Sequence, residues 1–247
     1  MIIVKTNLKS GFTLMEMMVV TLIVSIILIS TIDVASRAFD AKFKFDNIAK
    51  ARQEKVDITS RITSKIKEAS AVYTSSQTIT IPANGSNVSV VGENETLAVL
   101  VPKFDSNGNV VQPTPGTTTL FTGIAFTIIP AATWYNDNEN HKYDGKYVLL
   151  ETTADFNLGV SAADALKVTG ALPTSWSGGQ TYLLADNLKP AVTDNLGNIP
   201  FDVESDMVSF AFVPKGEHIY FPSADGTEEI DDGPNLTSCT FRNYRIN

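Results

Sequence analysis

The stretch GFTLMEMMVVTLIVSIILISTI, residues 11–32, decides how this chain is organised. Beyond Glu16, only four hydroxyl side chains interrupt its hydrophobic residues: Thr21, Ser25, Ser30 and Thr31. A helix that crosses a bilayer needs about 20 consecutive, mainly apolar residues. The run from Phe12 to Ile32 therefore predicts a helix that enters a membrane.

The residues on either side of the apolar run set its orientation. The first ten residues contain Lys5 and Lys9 and no acid. Positive charge before an apolar segment places that end of the chain in the cytoplasm. A secretory signal would end in a small-residue cleavage site and be removed with its apolar core. The sequence here continues Asp33-Val34-Ala35-Ser36, without an Ala-x-Ala pattern, so a retained helix is favoured and a cut near Ala35 is the alternative.

The segment Gly11-Phe12-Thr13-Leu14-Met15-Glu16 resembles the class III leader of type IV prepilins and pseudopilins. In that family a membrane aspartyl peptidase cuts after the glycine, and the new amino terminus is N-methylated. The resemblance implies that Gly11 is the last leader residue and that Phe12 is the methylated terminus of the mature chain. It covers the leader and the apolar helix and hardly extends to the remaining residues.

Glu16 is an acid at the leading edge of an apolar run, and the resemblance makes it the fifth mature residue. A carboxylate in hydrocarbon is costly and requires a partner. In a packed filament, the protonated amine of Phe12 from an adjacent subunit would supply that partner and set the register. In the alternative interpretation, Glu16 lies near the first turn of a helix, where the helix dipole favours an acid.

The apolar run continues into an amphipathic helix. No Gly or Pro occurs from Asp33 to Ser70, which predicts one helix from about Thr13 to Ala69, about 85 Å long at 1.5 Å per residue. One face is expected to pack under a sheet, because its members recur every three or four residues: Phe45, Ile48, Ala51, Lys55, Ile58, Ile62, Ile66 and Ala69. Phe39, Phe43 and Phe45 are expected in core or filament packing.

After Ser70 the pattern changes to short β-prone runs separated by turn residues. The predicted strands are Thr78–Ile81, Val88–Val91, Leu97–Val101, Leu120–Ile129, Tyr147–Thr152, Thr181–Leu184, Met207–Val213 and Thr237–Ile246. Between them, Asp105–Gly116 predicts a long loop, and Ala154–Gly179 predicts loop or a short helix around Ser161–Lys167. The predicted fold class is α+β, with a mostly antiparallel sheet on the second half of the long helix.

The predicted domain organisation has four parts. They are a leader at 1–11, a transmembrane and assembly helix at 12–36, its amphipathic continuation at 37–70 and an extracytoplasmic, β-rich head at 71–247. Residues 12–70 carry nine Lys/Arg and seven Asp/Glu, whereas residues 71–247 carry eight and twenty. A head of net charge −12 is not expected to bind nucleic acid, which needs clustered Lys/Arg.

Two acidic loops contain candidate calcium ligands, because Ca²⁺ takes six to eight oxygen atoms. The candidates are Asp137, Glu139 and Asp144 in one loop, and Asp225, Glu228 and Asp231 in the other. Neither loop has the spacing of an EF-hand, so ordinary solvated turns are the preferred interpretation. No cofactor is predicted.

Catalysis is not expected from the sequence. His141 and His218 are the only histidines, and no hydrolase, zinc-protease, P-loop or dinucleotide motif occurs. The single cysteine, Cys239, excludes an intrachain disulfide and is expected to be a buried residue in a strand.

The sequence and the resemblance together predict a structural subunit of a type IV pilus or a type II secretion-like pseudopilus. A minor or initiating pilin is favoured, because the head is large and lacks paired cysteines. The implied partners are other pilin subunits, the prepilin peptidase/methylase, an assembly platform in the inner membrane and membrane lipid. The implied location is the bacterial cytoplasmic membrane with the head outside, followed by the pilus or pseudopilus.

Two other functions remain open at this point. One is a bitopic adhesive or receptor-like protein with an uncleaved anchor, which would retain Met1. The other is a secreted binding module or enzyme that loses its apolar segment, which would begin beyond Ile32.

Overall fold

The computed structural model describes residues 13–73, 77–91, 95–136, 143, 146–189, 200–204, 207–211, 213–214 and 237–240. Contacts divide the chain into two compact units, 1–47 and 48–247. In chain order, the elements are α1 (Leu14–Glu68), β1 (Ala71–Val72), β2 (Thr78–Ala83), β3 (Ser86–Val91), β4 (Thr96–Pro102), β5 (Thr118–Pro130), α2 (Ala131–Tyr135), β6 (Tyr147–Ser161), β7 (Asp164–Val168), β8 (Gln180–Lys189), β9 (Phe201–Glu204), β10 (Met207–Phe210), β11 (Val213–Pro214) and β12 (Thr237–Thr240).

The described part of the first unit is the amino-terminal portion of α1, and all its residues from 13 to 47 are exposed. The absence of Gly and Pro lets the backbone hydrogen bonds continue without a break. The predicted helix from Thr13 to Ala69 is thus confirmed, with its observed bounds at Leu14 and Glu68.

The second unit is built on an antiparallel sheet in the order β1-β4-β5-β6-β8-β11, with β7 also paired to β6. Its longest pairing joins β5 to β6 without a break, from Thr118 opposite Gly159 to Pro130 opposite Tyr147. β-branched and aromatic residues make up most of β5, and such side chains fit a pleated surface.

The middle of this sheet is buried on both faces, and the sequence of β4 is therefore a continuous apolar run. Leu97 and Val99 point to the face covered by the carboxy-terminal part of α1. Ala98 and Leu100 point to the opposite face, which is covered by the β2–β3 hairpin. Successive strand residues alternate between faces, so a strand covered on both sides must be apolar throughout.

Helix α1 contributes Ile58, Ile62 and Ile66 to the first of these two cores. A second sheet, in the order β12-β10-β9, adds Phe201 and Phe210 to the same core. The α+β class and the packing of the second half of the helix on an antiparallel sheet are therefore confirmed. The prediction that Phe45 belongs to the stripe packed under the sheet is wrong, since this residue is 68% exposed.

An ion pair crosses the helix–sheet contact. Arg61 Nη2 donates to Glu151 Oε1 on β6 at 2.9 Å, and Arg61 Nε lies against Oε2. The Glu151 side chain is only 5% exposed, whereas that of Arg61 is 52% exposed. The hydrogen bond to Glu151 raises the pKa of the Arg61 guanidinium. A buried charge without such a partner would be strongly unfavourable.

The β2–β3 hairpin and Trp176 cover the opposite face of the sheet. The hairpin turns at Asn84 and Gly85, whose φ angles of 40° and 89° suit the two-residue turn found between twisted strands. Trp176 is 1% exposed and packs edge-on against Tyr73 and Phe156.

The prediction of loop or a short helix across Ala154–Gly179 is wrong for much of that segment. Strand β6 runs on to Ser161, and β7 occupies Asp164–Val168. Polar residues such as Asp155 and Asn157 resemble loop composition, but pairing with β5 keeps their backbone extended. The sequence also did not predict α2, a single helical turn.

Two predicted strands near the carboxy terminus differ in extent. The predicted Met207–Val213 strand corresponds to β10, which ends at Phe210, and to β11, which begins at Val213 and pairs with β8. In the Thr237–Ile246 prediction, β12 accounts for the first four residues and the rest lies outside the described residues. Cys239 lies in β12 as expected, although it is only partly buried.

Candidate functional site

The apolar start of α1 is the most unusual surface of the described chain. An 18-residue window of this helix has a mean hydropathy of 2.5, and none of that window is buried. Its large side chains are exposed along the whole run, for example Leu22 at 61% and Ile29 at 68%. Exposed apolar surface of this extent marks an interaction with lipid or with other apolar surfaces. The helix is long and apolar enough to cross a membrane.

The hydroxyl side chains within this run are satisfied by the helix itself. Each donates to a backbone carbonyl about one turn earlier: Thr21 to Met17 at 3.0 Å, Ser25 to Thr21 at 2.7 Å, Ser30 to Ile26 at 2.9 Å and Thr31 to Ile27 at 2.7 Å. Such bonds leave no hydroxyl donor unpaired in hydrocarbon. The four polar residues are therefore compatible with an apolar environment.

Glu16 closes the first turn of the helix by bonding to Thr13. The Thr13 backbone N–H and its hydroxyl both donate to Glu16 Oε2, at 2.8 and 2.9 Å. In return the Glu16 backbone N–H donates to Thr13 Oγ1 at 3.3 Å. This reciprocal arrangement is a capping box, which satisfies backbone N–H groups that the first helical turn leaves free.

The role of Thr13 was missed by the sequence reasoning, although its signal is present. A Thr followed three residues later by Glu, directly before an apolar run, is the sequence pattern of a capping box. The alternative interpretation of Glu16 as a residue of the first helical turn agrees with this geometry. The carboxylate is thus oriented by residues of its own chain.

The apolar run ends at an exposed ion pair. Asp33 Oδ2 lies 3.0 Å from Arg37 Nη2, one turn further along the helix. Arg37 is the first basic residue after Lys9. Charges on this helix therefore resume only where the predicted membrane segment ends.

The other predicted site residues lie outside the described residues. Gly11 and Phe12 are among them, so the proposed ion pair between Glu16 and Phe12 stays a prediction. The same holds for His141, His218 and the calcium candidates: Asp137, Glu139, Asp144, Asp225, Glu228 and Asp231. Within the described ranges, no group of three or more His, Cys, Asp or Glu side chains could hold a metal ion.

Two open grooves lie beside α1 in the second unit. One, of about 500 Å³, is bordered by Ser60, Arg61 and Leu184. The other, of about 340 Å³, is bordered by Thr63, Lys67 and Cys239. Burial raises the pKa of the Cys239 thiol more than nearby Lys67 lowers it. A raised pKa disfavours the thiolate, which is the nucleophilic form of cysteine.

Comparison with known proteins identifies the amino-terminal region. Residues 6–32 match the family model described as the prokaryotic N-terminal methylation motif, the class III leader of type IV pilin and pseudopilin precursors. The match covers the last six leader residues, including Lys9, the capping box and the exposed apolar run. No curated protein and no solved structure matches the chain significantly. The chain thus carries a prepilin-type leader on a helix suited to membrane anchoring.

Proposed function

We propose that this chain is a structural subunit of a type IV pilus or a type II secretion-like pseudopilus. The observation that carries the proposal is the match of residues 6–32 to the methylation motif, together with a helix whose large apolar side chains are exposed throughout its first part, from Leu14 to Ile32. The motif implies cleavage by a prepilin peptidase and interaction with other pilin subunits. The processing site is Gly11/Phe12.

In this proposal, the same apolar surface contacts first membrane lipid and then neighbouring subunits. Phe12–Ile32 first holds the subunit in the cytoplasmic membrane with its head outside. An assembly platform then transfers the subunit into a fibre, where the helix side chains contact those of neighbouring subunits. Both environments are apolar, so transfer from one to the other leaves the large aliphatic side chains out of water.

Glu16 is the residue that distinguishes the two environments. In the isolated helix its carboxylate bonds to Thr13, which satisfies hydrogen bonds but does not neutralise its charge. The methylated amine of Phe12 in a neighbouring subunit would neutralise it, since opposite charges attract strongly in a medium of low dielectric. A subunit therefore gains most from a position that brings Glu16 to a neighbour's amino terminus.

A bitopic protein with an uncleaved anchor is the second candidate, and the capping box favours it. The bonds between Thr13 and Glu16 explain an acid at the start of an apolar helix without any neighbouring chain. They do not explain the motif match, which begins six residues before Phe12. The pilin proposal accounts for both observations.

Within the pilin proposal, a minor or initiating subunit is favoured over the abundant shaft subunit. The head extends from residue 71 to residue 247, and the chain has one cysteine, which excludes an intrachain disulfide. We expect no catalytic activity from this head, because its proposed role is to occupy a defined place in the fibre.

Sequencing the amino terminus of the mature protein tests the proposal. The expected first residue is N-methylated Phe12. An intact Met1 would instead favour the uncleaved anchor, and a terminus beyond Ile32 would favour a secreted protein.

A substitution at the cleavage site provides a second test. Gly11→Leu is expected to block processing, because a bulky side chain replaces the glycine at the scissile bond. The measured result is loss of the shorter, mature band on a denaturing gel. Ser10→Leu places the same side chain one residue earlier and serves as the matched control. Normal processing of the Gly11→Leu chain would contradict the assigned site.

A further inference from the structure

The β2–β3 hairpin presents a strand edge that the proposed function does not use. Its strands pair from Thr78 opposite Val91 to Ala83 opposite Ser86, next to the two-residue turn. A two-residue turn closes on a hydrogen-bonded pair, and bonded and non-bonded pairs then alternate. The backbone N–H and C=O groups of the alternate β3 residues therefore point away from β2: Asn87, Ser89 and Val91.

The outer edge of β2 agrees with this register and is already occupied. By the same alternation, Thr80 points its backbone groups away from β3. Its N–H donates to Thr174 O at 2.8 Å, and its carbonyl accepts the Trp176 N–H at 2.8 Å. The segment around Trp176 thus covers the β2 edge, and the open edge of the hairpin is that of β3.

One end of the β3 edge is closed by its own chain. The Val91 N–H donates to Glu95 Oε2 at 3.3 Å, and the Glu95 N–H donates to Val91 O at 3.2 Å. Asn87 and Ser89 are exposed, and no other described residue bonds to their outward backbone groups. As far as the described residues go, two N–H and two C=O groups are therefore open to a partner.

This edge lacks the features that normally prevent strand pairing. Natural edge strands are short, charged, interrupted by proline or covered. β3, with the sequence Ser-Asn-Val-Ser-Val-Val, has six residues and neither charge nor proline. Four other strands at sheet edges are charged or very short: β9 carries Asp202 and Glu204, β7 carries Asp164 and Lys167, and β1 and β11 have two residues each. The edge strand β12 is uncharged like β3, but it has only four residues.

The charge distribution favours a second copy of this chain as the partner. Residues 69–92 contain no Asp, Glu, Lys or Arg, whereas residues 71–247 together carry a net charge of −12. Two acidic heads repel each other when like charges meet across a contact. Two copies therefore approach most favourably at the uncharged hairpin.

We propose that β3 pairs with β3 of a second copy as an antiparallel strand, around a two-fold axis at Val88. Asn87 of each copy then lies opposite Ser89 of the other, in a hydrogen-bonded pair. The four backbone hydrogen bonds of these two pairs use the open groups of both copies. Val91 is not needed, which agrees with its bonds to Glu95.

The contact is small, so it forms where a membrane or a fibre already holds two copies close together and raises their effective concentration. It joins two heads side by side through identical surfaces. The pairing does not require leader cleavage, because an uncleaved apolar helix also holds the copies in a membrane, so its test is separate from that of the proposed function.

Cysteine cross-linking of the full chain in membranes tests this pairing. The variant Val88→Cys, made in a Cys239→Ser background, places one thiol on the two-fold axis. Opposite Cβ atoms in a non-bonded antiparallel pair are about 4.5–5.5 Å apart, close to the span of a disulfide. Oxidation by copper-phenanthroline and oxygen is expected to give a dimer on a non-reducing gel.

The matched control is Ser86→Cys in the same background. In the proposed register its two thiols are offset by four residues, or roughly 14 Å along the strand, so no dimer is expected. Equal cross-linking of the two variants, no dimer from Val88→Cys, or a cross-link to a different protein would each overturn the proposal.

A second substitution on the Val88→Cys chain tests the hydrogen bonds. Ser89→Pro removes only an outward N–H, since Ser89 makes no backbone bond to β2, and loss of the cross-link is expected. Ser89→Lys keeps the N–H but adds a positive charge to each side of the contact. It is also expected to abolish the cross-link. Thr80→Ala, on the same face of the hairpin, is expected to retain the cross-link. Retention of the cross-link in both Ser89 variants would overturn the proposal.

Discussion

At the scale of single residues, the first helical turn combines a structural task with a functional one. Glu16 and Thr13 bond to each other and so satisfy backbone N–H groups at the start of α1. In the proposed assembly, Glu16 also forms an ion pair with the amino terminus of a neighbouring subunit. These tasks use different properties of the side chain. The cap needs a hydrogen-bond acceptor, whereas the ion pair needs a negative charge.

Glu16→Ala is expected to impair fibre assembly while leaving leader cleavage intact, because the substitution removes the charge and leaves Gly11 and Phe12 unchanged. A lost ion pair of about 1.4 kcal/mol would lower incorporation about tenfold. The measurement is the ratio of subunit in sheared fibres to subunit in membranes.

Glu16→Gln is the matched variant, since its amide oxygen still accepts bonds from Thr13. If the negative charge is required, Glu16→Gln is expected to impair assembly as much as Glu16→Ala does. If only the cap is required, Glu16→Gln is expected to restore incorporation. Normal incorporation of Glu16→Ala would exclude the ion pair.

The buried carboxylate of Glu151 gives a prediction about stability. Arg61→Ala removes its charged partner and is expected to lower the free energy of unfolding by about 2–4 kcal/mol, below the full value for a buried pair because Arg61 is half exposed. The measurement is thermal or denaturant unfolding of the full chain in detergent.

Lys103→Ala provides the matched control for an exposed pair. Lys103 Nζ lies 2.6 Å from Asp155 Oδ2, and both side chains are accessible to solvent. Surface pairs contribute about 0–1 kcal/mol, so this variant is expected to remain nearly as stable as the natural chain. Equal losses for the two variants would show that burial of Glu151 has no special effect.

At the scale of elements, the sequence predicted the helix and strands whose positions follow from the spacing of apolar residues and the length of each apolar segment. The long helix, Ile58, Ile62 and Ile66 in its buried stripe, and most of the strands in the central sheet follow from apolar spacing. The sequence did not predict that β6 extends to Ser161, because Asp155 and Asn157 owe their extended backbone to pairing with β5. Phe45 fits the apolar spacing of α1 but is exposed, since periodicity does not say where a sheet ends.

Gly123 shows how closely β5 packs against the layer above it. A Cβ at this position would lie 2.6 Å from Phe156 Cε2 and 2.8 Å from Trp176 Cη2. Gly123→Ala is therefore expected to destabilise the head by about 1–3 kcal/mol, measured by its unfolding midpoint. Gly178→Ala meets nothing within 4 Å and is the control. A stable Gly123→Ala chain would mean that Trp176 can move aside.

At the scale of the whole molecule, the site was more predictable than the head. The leader, Glu16 and the apolar run form a local pattern, so the sequence alone located them, and residues 6–32 match a known motif. The layers of the head depend on contacts between residues far apart in the chain, such as Tyr73 and Trp176. No short pattern encodes such contacts, which is why the sequence did not predict the layer that covers the second face of the sheet.

Removal of calcium is expected to leave the thermal midpoint of the full chain unchanged. The candidate loops lack the spacing of a complete set of oxygen ligands, so solvated turns are the preferred interpretation. The measurement compares unfolding with added Ca²⁺ and with a chelator. A midpoint that rises with Ca²⁺ concentration would instead identify a metal site.

Because Ile58, Ile62 and Ile66 of α1 lie in the core, the helix and the head cannot be separated at the helix end. A water-soluble fragment has to start upstream of Ile58, and the boundary between the two compact units, at Ile48, offers a suitable starting point. A fragment starting at Ala69 would expose one face of the sheet and is expected to aggregate. The same contacts affect folding during synthesis, because α1 is made long before the final strands. The core of the head is complete only when those strands pack against α1.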